Sequence, residues 1–445
     1  MVVTIVVLLI LAGVSISLIL DNNGIIQKSK DARKQYGEAQ ANEQADLSDL
    51  SDWIDDATAE PTPKVNVNEK ATDNSTINGK KGNSNNPTIP EGYIPINEGL
   101  AVWGDGTSAP TQDSVDHGLV IKGDSDKNEW VWIPVPDVTV MCDTANTKEY
   151  TLCGTSGEKA VTTKLYSKSE IISGQTRTTP GTSTSGSCRE PDLVIGNDSV
   201  SYDSKEEYYK TILEFASKEK MAEAFVADYS EMIESIKTYG GFYIGRYELS
   251  EAGVQKNQPT LTNTDWYNLY NSCKNTKLQA SDKVKTGMIW GCQWDVTCNF
   301  IANKGEQKDI TDSNSWGNYF SSTGDAAVKV TENGTETDKY GSKQNTGYSE
   351  YWKANNIYDL AGNCYEWTQE AIRTTYRGIR GGYYGYNGSL RPASDGGNIY
   401  IFPNYGEETL RFSSHFNNKV TLNSRVWAPE WKNYQVDIIK AKRRQ

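Results

Sequence analysis

Histidine is almost missing from this chain: its 445 residues hold two, His117 and His415, 298 positions apart. That spacing excludes an HExxH zinc helix and leaves a histidine-based triad a forced choice of base. Cysteine is sparse as well. Seven in this length are too few for a disulfide scaffold and none form Cys-x-x-Cys; the nearest pairs, Cys292 with Cys298 and Cys142 with Cys153, lack zinc-knuckle spacing. Most of them read as small buried hydrophobes. Positive charge is in deficit, with 45 Lys and Arg against 58 Asp and Glu for a net charge of −13, which removes nucleic acid as the default partner. Phenylalanine is scarce too: 8 stand against 26 Tyr and 12 Trp, the balance expected where rings with a polar handle sit at wet or recognising surfaces. No internal repeat of fixed period occurs.

What is present begins with an uncharged run. Residues 2–20 read VVTIVVLLILAGVSISLIL, which as a helix at about 1.5 Å per residue spans a bilayer core, so a single-pass transmembrane segment is expected. No basic residue precedes it, unlike a cleaved signal peptide. Lys28, Lys30, Arg33 and Lys34 favour a cytoplasmic continuation, against the outside location argued below. From Ile25 to Ile54 the residues favour a helical stalk. The stretch VVTIVVLLILAGVSISLILDNNGIIQKSKDAR resembles the N-terminal helix of type IV pilin-like proteins of Gram-positive bacteria, with Met1 standing where their Gly-containing leader ends. That resemblance implies a pilin-like assembly.

The sequence divides into a membrane and stalk region at 1–54, a polar tether at 55–92, a domain at 93–416 with an inserted loop at 148–198, and a tail at 417–445. The tether carries TDNSTINGKKGNSNNPTIP, too few apolar residues to offset its ordering entropy. EGYIPI and EWVWIPV supply strand patterns, and Asp203 to Lys237 supplies a helical one through Ile212, Leu213, Phe215, Met221, Phe225, Met232 and Ile236.

Within the domain the chain runs through Trp130-Val-Trp-Ile-Pro-Val135, Gly240-Gly-Phe-Tyr-Ile-Gly-Arg-Tyr-Glu248, Gly287-Met-Ile-Trp-Gly-Cys-Gln-Trp-Asp295, Asn356-Ile-Tyr-Asp-Leu-Ala-Gly-Asn-Cys-Tyr-Glu-Trp367 and Arg377-Gly-Ile-Arg-Gly-Gly382. In this order they resemble the formylglycine-generating enzyme (sulfatase-modifying factor) family. The resemblance implies an α+β, C-type-lectin-like domain with much irregular backbone. Asp359 and Glu366 flank a glycine that lets carbonyls turn inward, as a hard cation requires; a metal-free turn with Leu360 and Trp367 in the core is the alternative. The family implies Ca²⁺ here through Asp359, the carbonyls of Gly362 and Cys364, and Glu366. The family's catalytic members carry a copper-handling cysteine pair around and after the Arg-Gly-Gly element. Here the last cysteine is Cys364, before Arg380, so neither copper nor formylglycine generation is expected. Arg380 and its two glycines read as structural.

Residues 380–405 read RGGYYGYNGSLRPASDGGNIYIFPNY, in which Tyr, Gly, Ser and Asn make up 16 of 26, the mixture of adaptable binding loops. Tyr383, Tyr384, Tyr386 and Tyr400 would offer rings, and Asn387, Ser389, Arg391, Asp395 and Asn398 directional polar contacts. The alternative is that such residues simply fill the fold's irregular centre. A variable segment after an Arg-Gly-Gly element is similar to the target proteins of diversity-generating retroelements, and Tyr383 to Phe412 has that composition. The expectation is a non-catalytic recognition or adhesion protein in the cell membrane with its large domain outside. Its ligand would be a protein or glycan of another cell, a host or a phage. A sulfatase-modifying enzyme and a structural pilin-like subunit are the rival classes.

Overall fold

A computed structural model describes residues 62–152 (less 98–100 and 139–140), 161–168, 195–196, 199–200, 206–400 (less 263, 333–334, 340–341, 374–375 and 395), 422–424 and 426–428. The chain divides into two units, Met1–Pro61 and Thr62–Gln445, and every described residue belongs to the second. That unit is mixed α/β with small sheets.

The two strand patterns read from the sequence, EGYIPI and EWVWIPV, supply two strands of its largest sheet. Six strands lie in the order Tyr93–Ile96, Val120–Gly123, Glu129–Pro134, Gly241–Gly245, Val426–Ala428, Gly287–Met288, every neighbouring pair antiparallel. Tyr93–Ile96, at its edge, alternates buried and half-buried, whereas all five residues of Gly241–Gly245 are buried, as fits a strand covered on both faces. A second sheet orders Gly396–Tyr400, Tyr376–Arg380, Tyr365–Arg373 and Leu422–Ser424, the last pair parallel.

The helix Lys218–Tyr239 starts where Ser217 accepts a hydrogen bond from Lys220 N and stops at Gly240, whose φ of 76° is left-handed. A Cβ at Gly240 would lie 2.5 Å from Ser84 N, so the stop also permits a close approach. Met221, Phe225, Tyr229, Met232, Ile233 and Ile236 are its buried stripe. The helix expected from Asp203 to Lys237 is in fact broken: Glu207–Ile212 forms a separate turn, and Glu214 takes a φ of 59° before Ser217 caps the longer helix. Ile212, Leu213 and Phe215 still pack on the core.

Among the described residues nine tryptophans are fully buried: Trp103, Trp130, Trp132, Trp266, Trp290, Trp294, Trp316, Trp352 and Trp367. This corrects the expectation of surface rings for them. Six use the indole N–H to hold a distant carbonyl, among them Trp132 to Ser84 O at 2.9 Å, Trp266 to Thr368 O at 2.8 Å and Trp294 to Ala393 O at 2.9 Å. The polar handle serves to fasten irregular backbone from inside.

Three boundaries also need correction. The tether expected through 92 is packed from Thr62 onward, because Val65, Ala71, Ile77 and Ile89 enter the core. Its asparagines meanwhile close turns, as when Asn86 N donates to Asn83 Oδ1 at 2.9 Å. The insertion expected at 148–198 begins inside the strand Cys142–Leu152, which pairs with Val161–Lys168. In the expected tail, Val426–Ala428 is a strand between two others of the main sheet.

The single-pass cell-membrane location is corrected as well: among the described residues no helix is long and apolar enough to cross a membrane. The segment 2–20 and the stalk at 25–54, on which that expectation rested, lie outside the described residues.

Candidate functional site

Two of the motifs meet in a buried polar knot. Glu248, at the end of the Gly-Arg-Tyr-Glu element, is fully buried. Its Oε2 accepts from Thr260 Oγ1 at 2.7 Å and Asn363 Nδ2 at 2.6 Å, and its Oε1 accepts from Cys364 N at 3.2 Å. Thr346 Oγ1 accepts from Glu248 N at 2.9 Å and donates to Asp359 Oδ2 at 2.8 Å, which also accepts from Gly347 N at 2.7 Å. Asn363 Oδ1 accepts in turn from Asn318 Nδ2 at 3.0 Å and Gln344 N at 3.0 Å. These bonds tie several irregular loops into one arrangement, with Asn318 Oδ1 buried and outside the hydrogen bonding.

The turn in this knot is the expected calcium loop. Asp359, Gly362 and Asn363 all have positive φ, at 57°, 78° and 56°. A Cβ at Gly362 would lie 2.2 Å from Asn318 O, so the residue must be glycine. Asp359 Oδ2 already takes two protein donors, and Glu366 sits opposite Arg380 in the sheet. Among the described residues no three His, Cys, Asp or Glu side chains converge as an ion site. With one oxygen from each carboxylate and two backbone carbonyls the expected set supplies four ligands, so a bidentate carboxylate or water has to complete the six to eight that calcium takes. Burial, with the Glu248 carboxylate beside it, pushes the Cys364 thiol well above its ordinary range, which favours the neutral thiol over the thiolate.

The Arg-Gly-Gly element is structural, as read. Arg380 is fully buried, its Nη1 3.6 Å from Asp295 Oδ1. A Cβ at Gly381 would meet Leu360 O at 2.8 Å, and one at Gly382 would meet Arg391 O at 2.2 Å. These close approaches fold the following segment back on itself.

The tyrosine-rich segment therefore leaves a rigid mount. Tyr383 does not face outward: it is 4% exposed, with ring centroids of Tyr365, Tyr384 and Tyr386 at 5.0, 5.3 and 6.1 Å. The expectation that Tyr383 offers its ring to a ligand is corrected, because the two-glycine turn aims it into the core. Tyr384 and Tyr386 lean on it and are half-buried. Arg391 holds its guanidinium 5.5 Å from the Tyr386 ring centroid. Asn387 Oδ1 accepts from Ser389 N at 2.8 Å and Ser389 Oγ at 2.5 Å, a local turn that occupies part of its polar capacity. Ser389 is exposed. Asn398 and Tyr400 lie in the strand Gly396–Tyr400, opposite Gly378 and Tyr376, and Asp395 falls outside the described residues.

Two residues that the sequence reading missed stand out beside this loop: Leu390 is 66% exposed and Phe320 47%. The segments carrying them are tied together, since Gly388 N donates to Asn314 Oδ1 at 3.0 Å and Ser321 Oγ at 3.1 Å, and Ser313 N to Gly388 O at 3.1 Å. Further along, Ala393 N donates to Ser313 Oγ at 3.0 Å and Ser394 Oγ to Ile310 O at 2.7 Å. A lone Leu in a Gly-Ser turn was the only sequence signal.

No protein-family model matches the sequence, and no curated protein matches it. Among solved structures the chain is similar to Treponema denticola variable protein 1, at 13% identity and a TM-score of 0.27, over 43% of this chain and 85% of that one. A superposition at that level carries no argument about fold, activity or partner.

Proposed function

We propose that Thr62 onward forms a non-catalytic recognition domain on a C-type-lectin-like scaffold, binding a protein or glycan through Tyr384, Tyr386, Ser389 and Arg391. The observation that carries this reading is the mounting of residues 383–391: a buried Tyr383 and paired close-approach glycines hold the loop from beneath, while Ser389 is exposed and Tyr384, Tyr386 and Arg391 half-exposed. A rigid base under adaptable polar and aromatic groups lowers the ordering cost of binding. Catalysis is disfavoured by the deep burial of Cys364 and the absence of a later cysteine.

The proposal extends to Ca²⁺ at the turn from Asp359 to Glu366, where it would brace the mount without touching the ligand. Panning a phage-displayed random peptide library and probing a printed glycan array test the main reading. Hits that lose at least about tenfold in affinity with Tyr384→Ala/Tyr386→Ala, at unchanged melting temperature, support it. Hits indifferent to that change remove the site.

A further inference from the structure

The loop 383–391 is only half of an exposed face. Its neighbour, residues 309–325, reads DITDSNSWGNYFSSTGD, with Asp309, Asp312 and Asp325 and no Lys or Arg. All three acids are exposed. Two of them are set by their own loop. Asp309 Oδ1 accepts from Thr311 N at 2.8 Å, Thr311 Oγ1 at 2.7 Å and Asp312 N at 3.2 Å, and Asp312 Oδ1 accepts from Asn314 N at 3.2 Å and Asn314 Nδ2 at 2.8 Å. The hydrogen bonds from Thr311 hold the Asp309 carboxyl below its ordinary range, so its charge is present at any physiological pH. Across the seam, residues 381–394 contribute a single cation, Arg391, and that one lies against Tyr386.

The same two loops carry Phe320 and Leu390. Among the described residues the exposed large hydrophobics are five, and these two fall on adjoining loops joined through Gly388, Asn314 and Ser321. Large apolar side chains clustered in water with a charged rim are the form of a protein-binding patch. An aliphatic Leu is a poor platform for a sugar ring, a neutral glycan offers the three carboxylates hydroxyl donors but no opposite charge, and an anionic glycan is repelled by them.

Building on the recognition reading above, we propose that Phe320 and Leu390 complete the binding face and that its partner is a cationic protein segment carrying an apolar side chain. The apolar residue seats on Phe320 and Leu390, and Lys or Arg on either side of it meets Asp309, Asp312 and Asp325.

The test uses the full chain and the peptides selected from the phage library. The expected consensus has Lys or Arg flanking Leu, Ile, Phe or Trp. Affinity of a synthetic consensus peptide is expected to fall at least about tenfold with Phe320→Ala/Leu390→Ala, both exposed positions that leave the core intact. The triple change Asp309→Asn/Asp312→Asn/Asp325→Asn keeps the turn acceptors; it is expected to slow association and flatten the dependence of the rate on salt. A consensus that is neutral or acidic, or a salt-independent rate in the parent chain, overturns the partner chemistry. Loss of binding with Tyr384→Ala/Tyr386→Ala but not with Phe320→Ala/Leu390→Ala overturns the composite face and leaves the proposed function standing. Binding untouched by either pair overturns both.

Discussion

Consecutive tyrosines illustrate how a single side chain is assigned. Tyr383 and Tyr384 have the same chemistry and neighbouring positions, yet one is core and the other half-exposed; nothing in composition separates them, because the choice is made by the φ of 84° and 73° at Gly381 and Gly382. Arg380 was legible for the opposite reason: an arginine before two glycines has to be buried against a partner for the glycines to matter. Elsewhere on the surface, Glu350 shows what a set of partners does to one charge. Burial alone would raise its carboxyl, but hydrogen bonds from Lys256 at 2.6 Å, Tyr358 Oη at 2.6 Å and Lys353 at 3.1 Å outweigh that and hold it down to about 2. A depressed carboxyl stabilises the fold above its ordinary value of 4.5 and loses that contribution as pH falls from there toward about 2. Glu350→Gln is therefore expected to melt below the parent chain at pH 7, with the gap closing through that acid window. A gap that stays constant in a melting series from neutral pH to about pH 2 would exclude this linkage.

At the scale of elements, periodicity was legible and boundaries were not. The strands Tyr93–Ile96 and Glu129–Pro134 and the stripe of Lys218–Tyr239 lie where apolar spacing put them, since burial on one or two faces imposes that spacing directly. Residues 62–92 look like a tether in sequence because their apolar anchors are few and widely spaced, Val65, Ala71, Ile77 and Ile89 with Val67 half-buried beside them, and asparagine and threonine side chains supply hydrogen bonding locally. A tether would tolerate loss of such an anchor. Ile77, fully buried, is instead expected to cost about 2–5 kcal/mol on Ile77→Ala, read from chemical denaturation. A cost near zero would return the segment to the tether. The turn from Asp359 to Glu366 is also an element with a test of its own. Calorimetric melting in calcium is expected to give a higher midpoint than melting in chelator, by mass action on the folded state, whereas coincident midpoints would leave the knot of Glu248, Asn363 and Thr346 to hold the turn alone.

Across the whole domain, long-range polar fasteners hold together segments that the sequence separates widely. The indoles do this with backbone carbonyls, and Asp228 does it with charge. Asp228 lies on the helix Lys218–Tyr239; its carboxylate accepts from Lys274 Nζ at 2.8 Å, from Lys285 Nζ at 3.0 Å and from the Tyr270 hydroxyl, and Lys285 also reaches Glu231 at 2.6 Å. No sequence pattern announces a contact between positions 42 and 57 residues apart, and the cluster was invisible until the fold assembled it. Burial works against the Asp228 charge, but Lys274 and Lys285 more than offset it and hold the carboxyl below 3.8; burial likewise opposes Lys285, and Asp228 with Glu231 raise it above 10.5. The carboxylate's contribution is present above about pH 3.8 and fades below it, while the lysine's is present below about pH 10.5 and fades above it. Asp228→Asn leaves two ammonium groups facing one remaining carboxylate, so it is expected to cost about 3–5 kcal/mol between those limits and progressively less beyond them. Replacing the charges together, as Asp228→Leu/Lys274→Met/Lys285→Met, is expected to recover much of the loss, since the penalty comes from half-buried charge left unpaired rather than from the absence of the pair. Denaturation midpoints across pH settle the matter: an Asn variant within about 1 kcal/mol of the parent at pH 7 would mean that the three segments are held by their apolar contacts alone.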